Sequence, residues 1–325
     1  MNALRETKAS KEPLICAFSG GCSSMALLHL IHGCNKDHLK VETDTLFPVH
    51  VVHIDLHPVL QLENGDTSAE VCQRAQEFGY PVHCYPLSRV LLEDIDKPGG
   101  DEEAALVEVV ASASSVSMKE QLVDVLLRVL LARVARAKNI ARIVYGHSAI
   151  CSAVHMFTMT GEGRGFAIPQ SFNKGHAMTP QLFYPLREFL PKEIAMYAHL
   201  NSLAPVFTPT LTTGAPKKAS ISKLTEAFIN GLQNNPTLSH TTHTLLRISE
   251  KLDSSLSAGV ECALCECQLS KREVECKTTT LQHTGAETTA RVCYSCNNIL
   301  AECGKSDVLV RSLYFAPKFR QGDVG

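Results

Sequence analysis

Between residues 14 and 200 the chain alternates short apolar runs with stretches of helical periodicity, and this alternation limits the fold more than any other feature. Residues 14–18, 47–56, 81–87, 141–148 and 181–189 read as strands. Helical patterns follow them, and the most regular, over 118–138, sets Leu122, Leu126, Val129 or Leu130, and Val134 at helical spacing. A strand that reaches the next one through a helix pairs with it in parallel, and a parallel sheet needs cover on both faces. The pattern therefore predicts an α/β domain with a three-layer α/β/α arrangement around a parallel sheet. In the first helix Leu27, Leu28 and Ile31 share one face, and Gly33 is the expected stop. The acidic, glycine-containing stretch 93–105 reads as a loop.

The alternation ends near residue 205. Two helical segments follow, at 219–235 and 243–253, then a polar linker over 253–261 and a cysteine-rich tail without helical periodicity. The expected organisation is an α/β domain over 1–205, a helical extension over 206–252 and a cysteine-rich module over 253–325.

Thirteen cysteines would suit a secreted disulfide scaffold, but the N-terminal residues are charged and lack an apolar core of the secretory type. The most apolar helical stretch is interrupted by Asp124, Arg128 and Arg133, so no membrane span is expected. With an apolar content of 45%, enough for a large core, these features point to a reducing compartment, where clustered cysteines more often bind metal. Cys262 and Cys265 form one CxxC pair and Cys293 and Cys296 another, with 27 residues between the pairs. Two such knuckles can complete a tetrahedral four-thiolate zinc site, the metal supplying folding energy to a zinc-ribbon-like module with little core of its own; reduced, metal-free cysteines and a redox or sulfur-carrying pair are the other readings. Cys267, Cys276 and Cys303 are spare sulfurs that could replace one of the four, Cys267 first.

Ser19-Gly20-Gly21-Cys22-Ser23-Ser24 joins the first strand to the first helix. Glycines in such a turn let backbone N–H groups approach an anion, the helix start adds partial positive charge, and the serines supply hydroxyls. Ser19, Gly20, Gly21 and Ser24 are the candidate phosphate-binding residues. The turn matches neither GxxxxGK[ST] nor GxGxxG. A net charge of −2 provides no general attraction for nucleic acid, so RNA contact would come from a local patch or a partner. Arg164, set between glycines, and Lys217 and Lys218 are the candidates, against the plainer reading of solvated surface charge. His50, His53 and His57 lack an obvious further ligand for a metal, and Asp55 ends a strand where it could meet a nucleotide or cap the chain.

The SGGxxS turn resembles the pyrophosphatase loop of the ATP-pyrophosphatase superfamily, which has the adenine-nucleotide α-hydrolase type of sheet. Its active members carry an acidic residue before the last serine, often preceded by lysine; Ser23 and Cys22 hold those places here. Residues 141–157 resemble the segment in which tRNA-thiolating members carry GHNxDDxxE. Gly146 and His147 match, Ser148 stands for the asparagine, Ile150 and Cys151 for the acidic pair, and Val154 for the glutamate. Those members also need a cysteine before the long helix and one after the last strand, and 109–126 and 202–221 contain neither.

The segments "GEGRGF", "YPLREFLPKEIAMY", "VFTPTLTTGAPKKASISKLTEAFINGLQ" and the paired cysteines together resemble the cytoplasmic tRNA 2-thiolation protein 2 family. The resemblance implies a cytoplasmic, non-catalytic subunit that forms a heterodimer with the wobble-uridine thiolase. It implies tRNA as a partner, with the lysine, glutamate and glutamine tRNAs thiolated at the wobble uridine, and sulfur drawn from a thiocarboxylated ubiquitin-like carrier protein. Relatives carry a further paired-cysteine segment before the glycine loop, which this chain is expected to lack. For the loop itself three readings stay open: a bare strand–helix turn, a residual site for ATP or phosphate, or the active site of an ATP-dependent tRNA sulfurtransferase.

Overall fold

A computed structural model describes residues 12–39, 47–60, 67–97, 100–172, 180–235, 237–238, 240–252, 256–271, 274, 278–283, 286–304 and 307–309. The chain forms two compact units, one of residues 1–86 and 131–254, the other of 87–130 and 255–325.

The first unit is built on β1 (Leu14–Ala17), α1 (Cys22–Leu39), β2 (Val49–Asp55), α2 (Ser68–Gln76) and β3 (Val82–Pro86). It continues after residue 130 with β4 (Arg142–Tyr145), α5 (Ala149–Gly161), β5 (Gln181–Phe183) and α6 (Pro191–Leu200). Between them, α3 (Glu102–Ser112) belongs to the second unit and α4 (Val116–Ala137) runs up to β4. The five strands are parallel in the order β3-β2-β1-β4-β5, with Cys16 opposite Val51 and Val144. Alternate strand residues explain the layers. Leu14, Cys16, Phe18, Val49, Val51 and Val144 join Leu27, Leu28 and Ile31 of α1, Val71 and Ala75 of α2 and Ile194 of α6 in one apolar core. Ile15, Val52 and Ile143 between them are equally buried, so the opposite face is covered too. The expected three-layer parallel α/β fold is the one observed.

Two further helices, α7 (Ile221–Asn234) and α8 (Thr241–Lys251), complete this unit. Ile229 and Leu246 from them pack with Ala149 and Ala153 of α5. The helix α7 starts at Ser220, whose hydroxyl accepts the Lys223 N–H at 3.1 Å.

The second unit holds a 3₁₀ turn over Leu87–Leu91, α3, the β6–β7 pair (Leu256–Glu261 with Gln268–Ser270), the β8–β9 hairpin (Thr278–His283 with Ala286–Arg291) and α9 (Tyr294–Glu302). Both strand pairs are antiparallel. Leu87, Val90, Leu106, Val109 and Ile299 are among its buried side chains.

Four local expectations are corrected. The helix α1 does not stop at Gly33 but runs to Leu39. Asn35, buried two residues on, explains this: its amide donates to the Phe47 carbonyl and its oxygen accepts the Phe47 N–H, both at 3.0 Å, which rewards continuing the helix. The stretch taken as a loop contains the start of α3 at Glu102, with acidic Glu102 and Glu103 in its first turn, where the helix dipole favours them. The polar linker contains β6, a strand specified by its partner β7 rather than by its own composition. The tail carries a helix, α9, whose buried positions include Ser295 and Cys296 along with Ile299, so its inward face has no aliphatic stripe to betray it. Among the described residues no helix is long and apolar enough to cross a membrane.

Candidate functional site

In an open parallel sheet the ligand crevice lies beyond the carboxyl ends of the strands, where the strand order reverses. Here the reversal falls between β1 and β4. The glycine loop leaves β1 at that point and the Gly146-His147-Ser148 turn leaves β4 beside it.

The loop is held by its own groups. Gly20 has φ +80°, and a Cβ there would stand 2.7 Å from Val71, so both conformation and space require glycine. Ser19 and Ser24 hydroxyls lie 3.2 Å apart, and Ser24 also donates to the Gly21 carbonyl at 3.0 Å. The segment after α6 lies along the same loop: the Val206 N–H donates to the Gly20 carbonyl at 2.9 Å, and the Thr208 hydroxyl to that of Ser19 at 3.3 Å. Thus the stretch in which the resemblance implies a second cysteine does reach the loop, carrying Thr208. Burial pushes the Cys22 thiol above its ordinary value, which disfavours the thiolate that a sulfur carrier would use.

Across the crevice, Ser148 caps α5, its hydroxyl accepting the Cys151 N–H at 3.2 Å. Ile150 and Val154, two of the positions where the resemblance implies carboxylates, pack against the Ala149, Ala153, Ile229 and Leu246 cluster. Cys151, the third, is exposed. Two of these three side chains thus join the seam with α7 and α8. His147 sits among aromatic rings, with centroids 5.2 Å from Tyr184 and 5.5 Å from Tyr145.

The four cysteines of the two CxxC pairs converge. Cys262, Cys265, Cys293 and Cys296 place their sulfurs within 4.8 Å of one another, with Cys265 and Cys293 3.9 Å apart. A tetrahedral zinc with bonds of about 2.3 Å has sulfurs about 3.8 Å apart, so the group fits that ion. Both pairs are shaped as knuckles. The Glu266 N–H donates to the Cys262 carbonyl at 3.0 Å and Glu266 itself takes φ 58°, left-handed backbone that closes the first turn. In the second, the Cys296 N–H donates to the Cys293 sulfur at 3.4 Å, and the Cys293 N–H reaches across to the Cys262 sulfur at 3.3 Å. Hydrogen bonding led by Cys262 holds the Cys265 thiol well below its usual value and pushes Cys293 and Cys296 well above theirs. Thiolates are the ligand form of cysteine, so a divalent cation binding at this group would release protons. Cys267 hydrogen-bonds Cys265 from beside the cluster, Cys303 is buried, and Cys276 lies outside the described residues.

The remaining candidates do not converge. Arg164 is 1% exposed, which corrects its reading as a surface contact: a guanidinium without accessible surface reaches no phosphate. Lys217 and Lys218 are exposed in a turn shortly before α7. Of the histidines, His53 bonds the Phe18 carbonyl at 2.9 Å and His50 bonds His83 on the neighbouring strand at 3.2 Å. Asp55 accepts the His57 N–H at 2.8 Å, a strand-end cap. Sequence reasoning missed Val206 and Thr208 as neighbours of the glycine loop, and only their place after the last strand could have hinted at it.

Comparison with known proteins bears on this arrangement. A family model described as "Cytoplasmic tRNA 2-thiolation protein 2" matches residues 220–292. A protein of that name from Dictyostelium discoideum is 31% identical over 84% of this chain and 52% of its own length. One from Sclerotinia sclerotiorum is 30% identical over 71% of this chain and 67% of its own. The chain therefore spans about half the length of the Dictyostelium relative. Among solved structures, the U34-tRNA thiolase NcsA from Methanococcus maripaludis with its [4Fe-4S] cluster aligns with a TM-score of 0.54, covering 76% of this chain and 74% of that one at 14% identity. That likeness is one of fold.

Proposed function

Because this chain belongs to the cytoplasmic tRNA 2-thiolation protein 2 family, we propose that it is the non-catalytic subunit of a cytoplasmic complex that 2-thiolates the wobble uridine of tRNA. In this reading it forms a heterodimer with a catalytic thiolase, which draws sulfur from a thiocarboxylated ubiquitin-like carrier and acts on the lysine, glutamate and glutamine tRNAs. The observation that carries the non-catalytic part is the packing of Ile150 and Val154 into the cluster with Ile229 and Leu246. Magnesium offsets triphosphate charge through carboxylates, and apolar side chains committed to a core offer it nothing. The glycine loop keeps Ser19, Gly20, Gly21 and Ser24 as a turn that still suits a phosphate. Lys217 and Lys218 are the cations proposed for tRNA phosphates. Cys262, Cys265, Cys293 and Cys296 are proposed to hold a structural zinc, which when bound ties the two knuckles together.

The contribution to rate is positioning: a subunit that holds tRNA against its partner's reaction centre lowers the barrier without touching the reacting atoms. The test is reconstitution with the catalytic subunit, reading 2-thiouridine in transcribed tRNA and ATP–pyrophosphate exchange. The reading expects no exchange and no thiolation by this chain alone, and thiolation by the pair that is lost when this chain is left out. Exchange by the purified chain that disappears with Ser24→Ala would establish an active adenylating enzyme instead.

A further inference from the structure

The second CxxC pair encloses a residue with a partner outside the cysteine cluster. Ser295 lies between Cys293 and Cys296, and its hydroxyl accepts a hydrogen bond from the side-chain amide of Gln121, on α4. Both side chains are inaccessible, Gln121 at 5% exposure and Ser295 at 0%. A buried glutamine is costly unless its amide is used.

The other end of α9 is held by the same stretch of chain. Ala113 and Cys303 form an antiparallel bridge, and the Ser114 hydroxyl donates to Glu302 at 2.5 Å. The helix that begins at Cys293 and carries Cys296 is thus fastened at its first turn by Gln121 and at its last by Ala113 and Ser114. Ala113 and Ser114 lie in the elbow between α3 and α4, and Gln121 lies early in α4.

We propose that Gln121 is a positioning residue for the four-cysteine metal site and that metal occupancy in turn orders the α3–α4 elbow. This rests on the zinc reading above. Fixing Ser295 fixes the backbone between two sulfurs, so the knuckle presents Cys293 and Cys296 in place before the ion arrives. Partners outside the ligand shell that orient ligands typically change metal affinity by about 10–100-fold when removed. In the reverse direction, a bound ion restrains α9, and through its two fastenings α9 restrains residues 113–121.

The experiment uses the full chain purified with zinc. Metal content is measured, then the rate of zinc transfer to a chromogenic chelator, for the natural protein, Gln121→Met, Ser295→Ala and the double variant. Val125→Ala, a buried change on the same helix, is the control for simple loss of stability. Zinc release about tenfold faster or more is expected in either single variant, with the double variant no faster than the singles and the control near the natural rate. Hydrogen exchange at 113–121 should rise when zinc is withdrawn; that measurement needs no substitution, so it tests the coupling of the metal site to the elbow even if a variant fails to fold. A chain that binds one zinc yet shows natural release rates in both variants and unchanged exchange in the elbow overturns this proposal alone. A chain that binds no zinc overturns the metal reading and this proposal with it.

Discussion

Gly146 lies against Ser24 so closely that a Cβ added to it would stand 2.9 Å from the Ser24 nitrogen and the Ser24 Cα. The obstacle is backbone at the start of α1, which cannot swing aside as a side chain could. The turn after β4 and the loop after β1 are therefore fitted to each other through a glycine. Gly146→Ala should destabilise the first unit by about 1–3 kcal/mol, the usual cost of overpacking. Thermal or urea unfolding followed by circular dichroism would read it; an unchanged midpoint would show that the two turns yield independently.

Gly20 meets a different obstacle. Its Cβ would strike the Val71 side chain, and its φ of +80° is also unfavourable for any L-residue. Gly20→Ala should cost about 2 kcal/mol or more, and adding Val71→Ala should recover only the steric part, leaving about 1 kcal/mol of backbone strain beyond the cavity made at position 71. Full recovery in the double variant would mean that the left-handed backbone carries no cost here.

Asn35→Ala should be among the more damaging polar substitutions in the first unit. It strips partners from both the N–H and the carbonyl of Phe47 and from the Tyr80 hydroxyl, which accepts a hydrogen bond from the same amide at 3.0 Å. Unsatisfied buried groups cost about 1–3 kcal/mol each, so a loss of about 3 kcal/mol is expected in equilibrium unfolding. A loss below about 1 kcal/mol would indicate that water replaces the amide.

Cys16 gives the stability curve an alkaline limb. Burial pushes its thiol from 9.0 to about 12 in the folded chain. The unfolded chain then ionises first as pH rises, so the contribution is level below pH ~9 and declines between pH ~9 and ~12, by at most about 1.4 kcal/mol per pH unit. Cys16→Ala should flatten that part of the profile while lowering stability at neutral pH through the cavity it leaves. The native thiol should also resist alkylation at pH 8 under conditions that label the exposed Cys84 and Cys151. Rapid labelling of Cys16 in the native state would contradict its burial.

What could be read from the sequence was whatever repeats with a period or a fixed spacing. The strands of the parallel sheet announced themselves as apolar runs, and Leu122, Leu126, Leu130 and Val134 marked α4 by helical recurrence. The four clustered cysteines were legible for the same reason, since CxxC spacing is itself a geometric statement. Features fixed by contacts between distant residues were not. Nothing local to Arg164 says that it is buried, and its flanking glycines suggested access. The strand β6 looks like linker until Ser270 is placed opposite Leu256. The helix α9 hides because Ser295 and Cys296 do the packing that aliphatic residues usually do. The bond from Gln121 to Ser295 joins residues 174 positions apart, and no window along the chain contains both.

The seam formed by Ile150 and Val154 with Ile229 and Leu246 ties chemistry to stability at those two positions. An aspartate at position 150 or a glutamate at position 154 would bring a charge against apolar neighbours from α7 and α8, an environment that disfavours the ionised form. Any carboxylate introduced on this face of α5 therefore works against the contacts that join α5 to the two helices after it, and the cost falls on folding before any ligand is met.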